Sequence, residues 1–511
     1  MSLFFRSKSP DLSRSIFALG SALATAGLTL FAMAAPLKAQ TSMEELRAHP
    51  EYTASNYLVY PELDKNVKYT KAPAGYKPFY ISHYGRHGSR YHHSADEYNY
   101  LFETLRKADS AKALTLDGKK ILVASQILAL KAAPRAGDLT QVGAAQHQGI
   151  AKRMARNFPE LFKSRKIKGK KLRPHVDAYA STSGRCIVSM SAFVAGLSGA
   201  APEVDIRLES GKDLMGFICT YDWNDMEYTR AKAYTDESDK LWAAINPKPL
   251  MKKLFSDSAY VAANIDVNNF YNRLFEIASS MQGMDAPLKE VISANLCDVR
   301  TGKCDNLFDS LFTVEESITR WKAQNAWWYS LQGTSPLQQT TKGIDYAKGT
   351  LRHIIREASY AINQNLIIDA INQAKASDVK LFSSSEKDGS FISATLRFGH
   401  DAGLLPLAGL MQLSVANAKV SDLSKLHEEW NDFRVIPMAA NLQIVFYKKT
   451  GRSSPAKKAT DAKSSKNDIL VKFLYNEREV TAPIPCEENC PAAPYYKWDD
   501  VKNFYKGILA Q

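Results

Sequence analysis

The stretch FYISHYGRHGSRYHH, residues 79–93, places Arg86, His87, Gly88 and Arg90 at the end of a short apolar run, with His92 and His93 just beyond. That density of positive charge at a strand end suits an anion. A guanidinium is planar, permanently charged and able to grip two oxygens of one phosphate, and Gly88 lets the backbone come close to the ligand. A phosphate monoester repels nucleophiles, so its charge must be cancelled before an in-line attack can proceed. Arg86 and Arg90 suit the first task. A neutral imidazole nitrogen of His87 suits the second, taking up the phosphoryl group as a phosphohistidine that water then cleaves.

Two further segments supply partners. In VDAYASTSGRCIVSMSAFVAGL (176–197), Arg185 opens a helix and offers a third guanidinium; in SATLRFGHDAGLLPLAGLM (393–411), His400 and Asp401 stand at a strand end before a helix. His400 and the helix amides would meet the phosphate, and Asp401 would protonate the leaving oxygen. For that role Asp401 must hold a proton beforehand, which burial favours and neighbouring arginines oppose. A lone His-Asp pair is ordinarily structural; the significance lies in all three segments having one design.

That design is a short apolar strand, a tight polar turn and a helix. The strands are read at Pro78 to Tyr84, 176–180 and 393–398, with helices beginning near Gly184 and after Gly403. Such alternation predicts a mainly parallel α/β sheet, whose ligands sit beyond the carboxyl ends of the strands. Residues 76–215 and 386–511 are assigned to this core, after an approach segment at 40–75. Residues 216–385 read as a mainly helical cap: ESITRWKAQNAWWYSL and YAKGTLRHIIREASYAINQ carry apolar residues at three- and four-residue spacing. Trp327, Trp328 and Tyr329 are read as core. NLQIVFYKK (441–449) and DILVKFLYNEREV (468–480) are strand-like and flank a Lys/Ser/Ala-rich flexible loop at 451–467.

The first 39 residues read as an address. Arg6, Lys8 and Arg14 precede the uncharged run Ile16 to Ala35, and small-residue cleavage patterns follow, so a cleaved signal peptide is expected rather than an uncleaved anchor. The six cysteines agree with export: Cys297 with Cys304, and Cys486 with Cys490, are spaced as local disulfides. Half a zinc site at Cys486 and Cys490 is the rival, weakened by the lack of a second ligand pair. Pairing of Cys186 with Cys219 is left open. The net charge of +13 favours anionic partners, but KSRKIKGKKLR (163–173) and the 451–467 tract read as solvated loops, not a nucleic-acid surface.

The motifs together resemble the histidine acid phosphatases, branch 2 of the histidine phosphatase superfamily, and most of all its multiple inositol polyphosphate phosphatase and phytase group. The family's Arg-His-Gly-x-Arg matches Arg86 to Arg90, its later arginine matches Arg185 before SMSAFVAGL, and its His-Asp element matches His400-Asp401. GDLTQVGAAQHQGIAKRM (137–154) and NEREVTAPIP (476–485) are also similar to family segments, so the likeness spans essentially the whole mature chain. The chain departs from the common pattern where His92 replaces a proline, and it has His-Asp-Ala where the inositol polyphosphate group commonly has His-Ala-Glu.

The resemblance implies a three-layer α/β sandwich of the phosphoglycerate mutase kind with a helical cap. It implies His87 as nucleophile and Asp401 as proton donor, with Arg86, Arg90, Arg185 and His400 binding phosphate, and neither metal nor other cofactor. The expected protein is an exported phosphomonoesterase, periplasmic, surface-bound or secreted. Its partner is a small phosphorylated molecule, phytate first and 2,3-bisphosphoglycerate as a side reaction, with no stable membrane insertion once the leader is cleaved. The alternatives are a broad-specificity acid phosphatase acting on sugar phosphates or nucleotides, and a non-catalytic binder of phosphorylated ligands.

Overall fold

The computed structural model describes residues 41–61, 63, 68–167, 169–218, 236–297, 306–337, 342–373, 389–450 and 469–511. The leader at 1–39, the 451–467 tract, Cys219 and Cys304 lie outside these residues.

Among the described residues nine strands form the sheet: β1 (Tyr76–Arg86), β2 (Arg165–Ile167), β3 (Lys170–Ala180), β4 (Asp205–Ser210), β5 (Ser390–Gly399), β6 (Asn441–Lys449), β7 (Ile469–Tyr475), β8 (Arg478–Val480) and β9 (Tyr495–Lys497). Their order is β2-β3-β5-β1-β6-β7-β8, with β4 beside β3 and β9 beside β7. The block β4-β3-β5-β1 is parallel, and β6 and β7 extend it antiparallel. β1 is buried without a break from Phe79 to Arg86, as a strand covered on both faces must be.

Both faces are covered by helices. Gln141–Asn157 and Gly184–Ala200 pack Ile150, Met154, Phe193 and Leu197 against Ile81, Val176 and Leu396. On the other face, Asp401–Leu410, Lys348–Gln373 and Trp498–Ala510 set Leu404, Ile354 and Val501 with Tyr80, Leu442 and Phe473. The result is a three-layer α/β sandwich.

A separate apolar cluster joins Leu101, Leu105, Ile121 and Leu128 to Phe270, Leu274 and Phe275. The helix Ala95–Ser110 therefore packs with Val267–Ser280, and Leu116–Lys131 with Lys248–Leu254 and Ala286–Asn295, although the sequence pattern grouped Ala95–Ser110 and Leu116–Lys131 with the core. Their apolar faces meet one another and these helices rather than the sheet.

The helix expected after Gly403 begins earlier, at Asp401. His400 stays extended, and its carbonyl accepts from Gly403 N and Leu404 N, so Gly403 lies in the first turn. Cys486 and Cys490 form a disulfide with Cα atoms 5.8 Å apart, which displaces the zinc alternative. Cys297 is disulfide-bonded; its expected partner Cys304 is outside the described residues. Cys186 is a buried free thiol.

Candidate active site

Strand register brings the three motif turns together. Arg86 of β1 lies opposite Gly399 of β5, and Ala180 of β3 lies opposite Phe398. The residues that follow therefore emerge side by side: His87 N donates to Gly399 O at 2.9 Å, and Ser181 N donates to Phe398 O at 2.9 Å. His87, Arg90, Arg185, His400 and Asp401 line one cleft of about 320 Å³. Arg86 lies directly beneath, its Nη2 2.8 Å from Asp401 Oδ2.

The turn after β1 is held by the segment starting at Thr140. Thr140 caps the helix Gln141–Asn157, and its N–H donates to Ser89 O at 2.9 Å. Gln146 accepts from Ser89 N and donates to Ser89 Oγ, both at 2.9 Å. A Cβ on Gly88 would come 2.5 Å from Gly143 O, and one on Gly143 would come 2.2 Å from Ser89 O. Both positions must be bare for the helix to seat against the turn.

His87 is 2 % exposed. Its Nδ1 lies 2.9 Å from Gly88 O, a pure acceptor, so Nδ1 carries the proton and Nε2 the lone pair. Burial, and then the charges of Arg86, Arg185 and Arg90, push the pKa of His87 well below the usual histidine value. The imidazole is therefore neutral, as a nucleophile must be. His400 stands edge-on to it, ring centroids 5.6 Å apart. Ser181 Oγ lies 3.1 Å from His400 Nε2, and Arg185 Nη2 donates to Nδ1 at 3.4 Å. Burial and Arg185 lower His400 to about 4.

Burial alone would raise the pKa of Asp401, but Arg86, the hydrogen bond from Asn56, and the His400 and Arg90 charges bring it down to about 2. Asp401 is thus a carboxylate: burial is the largest single influence, but the neighbouring cations and the Asn56 hydrogen bond together outweigh it. Burial lowers Arg86 to about 10, so it remains a cation. Its Nη1 donates to Asn56 O at 2.5 Å and Ile436 O at 2.6 Å.

Several contributors escaped the sequence. Asn56 Nδ2 donates to Asp401 Oδ2 at 2.9 Å, and the Arg90 guanidinium lies 5.2 Å from the centre of the Tyr57 ring. Both come from the segment read as a mere approach to the core, which carries no motif. The neighbouring Ser55 has φ +60° and ψ −133°, a conformation costing a residue with a Cβ about 1–3 kcal/mol. Trp327 and Trp328, read as core, also wall the cleft, together with Phe275, Glu276, Arg320 and Gln324; Tyr329 is buried in the main core as expected. His92 is 1 % exposed and points its Nε2 toward Glu276 Oε2 at 3.6 Å, so His93 rather than His92 faces the cleft.

A buried neutral imidazole and three guanidiniums at the carboxyl ends of parallel strands are suited to handling phosphate. The model of the histidine phosphatase superfamily (branch 2) matches residues 85–476, and the chain belongs to that family. It is a histidine-type phosphatase. Among solved structures, the Bifidobacterium longum multiple inositol polyphosphate phosphatase complexed with inositol hexasulfate is similar with a TM-score of 0.60 at 17% identity, covering 89% of this chain and 97% of that one. The phytase from D. castellii is similar with a TM-score of 0.52 at 14% identity, covering 90% and 85%. At such identities the likeness is one of fold. No curated protein matches the sequence.

Proposed function

We propose that this phosphatase is exported and hydrolyses inositol polyphosphates, phytate first, through a phosphohistidine on His87. The observation that carries the reading is a neutral His87 facing a cleft shared with Arg90 and Arg185 and floored by Arg86. The Nε2 lone pair attacks phosphorus while the bond to the leaving oxygen breaks and Asp401 donates its proton to that oxygen. Water then attacks the phosphohistidine, the P–N bond breaks, and Asp401 takes the proton of the water. The three guanidiniums neutralise the charge that builds on the phosphoryl oxygens, so chelators should leave turnover unchanged.

Asp401 is ionised by its surroundings in the protein. Its proton must therefore arrive with the substrate, either as a monoanionic phosphate or because a dianionic one offsets Arg86. Turnover should accordingly favour acidic pH, where His87, with its depressed pKa, still keeps its lone pair.

Arg90, His93 and Arg320 along the cleft suit a ligand with phosphates on more than one side, and the similar Bifidobacterium structure holds an inositol hexasulfate. Glu276 in the same wall favours a second reading: its carboxylate opposes an additional phosphate, as a broad-specificity acid phosphatase would tolerate. Product analysis with phytate, alongside glucose phosphate and 2,3-bisphosphoglycerate, separates the two. Equal kcat/KM on phytate and glucose phosphate would end the phytase assignment. Export rests on the leader pattern and the Cys486–Cys490 disulfide; cell fractionation with N-terminal sequencing of the recovered protein tests it.

A further inference from the structure

We propose that Asp432, acting through Ser55, is a positioning residue that aims Asn56 at the proton donor; the inference rests on Asp401 having that role. Asp432 is fully buried. Its Oδ1 accepts from Trp321 Nε1 at 2.9 Å and from Phe433 N at 2.7 Å. Its Oδ2 takes the Ser55 hydroxyl, and its own N–H donates to Asn325 Oδ1 at 2.8 Å.

Ser55 is the point at which this anchor matters. Its φ of +60° is not one that a residue with a Cβ adopts unaided. The hydroxyl bond to Asp432 holds it there, and that twist turns both ends of Asn56 toward the site. The Asn56 side chain donates to Asp401 Oδ2 at 2.9 Å, while its carbonyl accepts from Arg86 Nη1 at 2.5 Å. One strained turn thus sets the spacing between the acid and the arginine that governs its charge. Trp321 and Asn325 belong to the helix Val314–Gln332, whose Gln324, Trp327 and Trp328 wall the cleft. Asp432 therefore also ties the cap helix to the proton donor.

Asp432→Ala would strand the Trp321 N–H in the interior and threaten folding, so the test uses Ser55. Ser55→Ala removes the anchor but keeps the Cβ that opposes positive φ. Ser55→Gly removes the anchor and accepts the conformation. Both are assayed on an inositol phosphate, whose alkoxide needs a proton to leave, and on p-nitrophenyl phosphate, whose phenolate needs none. For Ser55→Ala, kcat should fall roughly tenfold or more on the inositol phosphate, within the range of general-acid catalysis, and little on p-nitrophenyl phosphate. Ser55→Gly should recover most of that loss. An equal fall on both substrates, or a glycine variant as impaired as the alanine one, would overturn the proposal. Asp401→Asn is run in parallel. If it too lacks the leaving-group dependence, the donor assignment fails and the inference with it; if it shows the dependence and Ser55→Ala does not, only the positioning role falls.

Discussion

On the floor of the cleft, His87, Arg86, Arg185, His400 and Asp401 hang from the ends of β1, β3 and β5. Main-chain bonds such as His87 N to Gly399 O at 2.9 Å fix their origins. On the roof, Glu276 and Arg320 come from two helices outside the sheet and their charged ends are held by side chains. Arg320 Nε donates to Asn272 Oδ1 at 2.7 Å, Nη1 donates to Gln324 Oε1 at 3.1 Å, and Nη2 lies 3.6 Å from Glu276 Oε1. The floor is positioned by strand register, which tolerates little change. The roof depends on helix packing, which can be retuned one side chain at a time. Chemistry should therefore reside on the floor and substrate choice on the roof.

The sharpest way to break this division is to remove the proposed nucleophile. His87→Ala should lower kcat by about a thousandfold or more on every phosphomonoester, regardless of how many phosphates the substrate carries. Wild-type enzyme quenched in alkali during turnover should show a phosphoramidate signal by phosphorus NMR, and the variant none. Residual turnover that discriminated between substrates would mean that the roof contributes to the chemical step.

Arg86 tests the floor in another way, because it is both ligand and structure. It is 0 % exposed and paired with Asp401. Arg86→Ala removes one partner of a buried pair, for which a loss of about 3–5 kcal/mol is expected. Urea unfolding would register it as a lowered midpoint with an unchanged slope. A midpoint like that of wild type would show that Asp401 is satisfied without it.

This division also governs what could be read from the sequence. Arg86, His87, Arg90, Arg185, His400 and Asp401 were legible because strand, turn and helix follow one another along the chain. Parallel pairing then brings their ends together without further information. Asn56 and Tyr57 were not, since nothing local distinguishes a turn that will later pack against Asp432 and Ile436. Trp327 and Trp328 were read as core, and they do pack in it; their second role as a wall of the cleft was hidden, because aromatic residues at helical spacing look alike whether a neighbour or a cleft covers their edges. The partner of His92 was equally hidden: its ring meets Glu276, about 180 positions later in the chain by residue number.

Smaller effects are expected on the roof. Arg320→Gln should raise KM for phytate by roughly tenfold, as loss of one charged contact implies, while KM for p-nitrophenyl phosphate stays nearly constant. Glu276→Gln should move the phytate KM in the opposite direction, since it removes the carboxylate facing the ligand. Equal shifts for both substrates would erase the distinction between floor and roof.

The dependence of stability on pH again separates buried from open positions. Burial lowers His83 and His147 to about 3 and His400 to about 4, and His87 lies well below its usual value. Each is neutral in the native state, whereas in the unfolded chain each takes a proton near pH 6.5. Their contribution is complete above that pH and is lost as pH falls toward their native values, by up to about 1.4 kcal/mol per pH unit for each. Asp432 works in the opposite sense. Burial raises it to about 6, so its contribution is complete below the ordinary aspartate range and is lost as pH rises through 6. Four histidines outweigh one carboxyl, and unfolding midpoints should therefore decline from pH 7 to pH 5. A midpoint that held steady or rose over that interval would mean that these imidazoles gain protons without unfolding, and the neutral His87 required for the proposed attack would then have to be secured by the bound phosphate ester instead of by burial and the arginines.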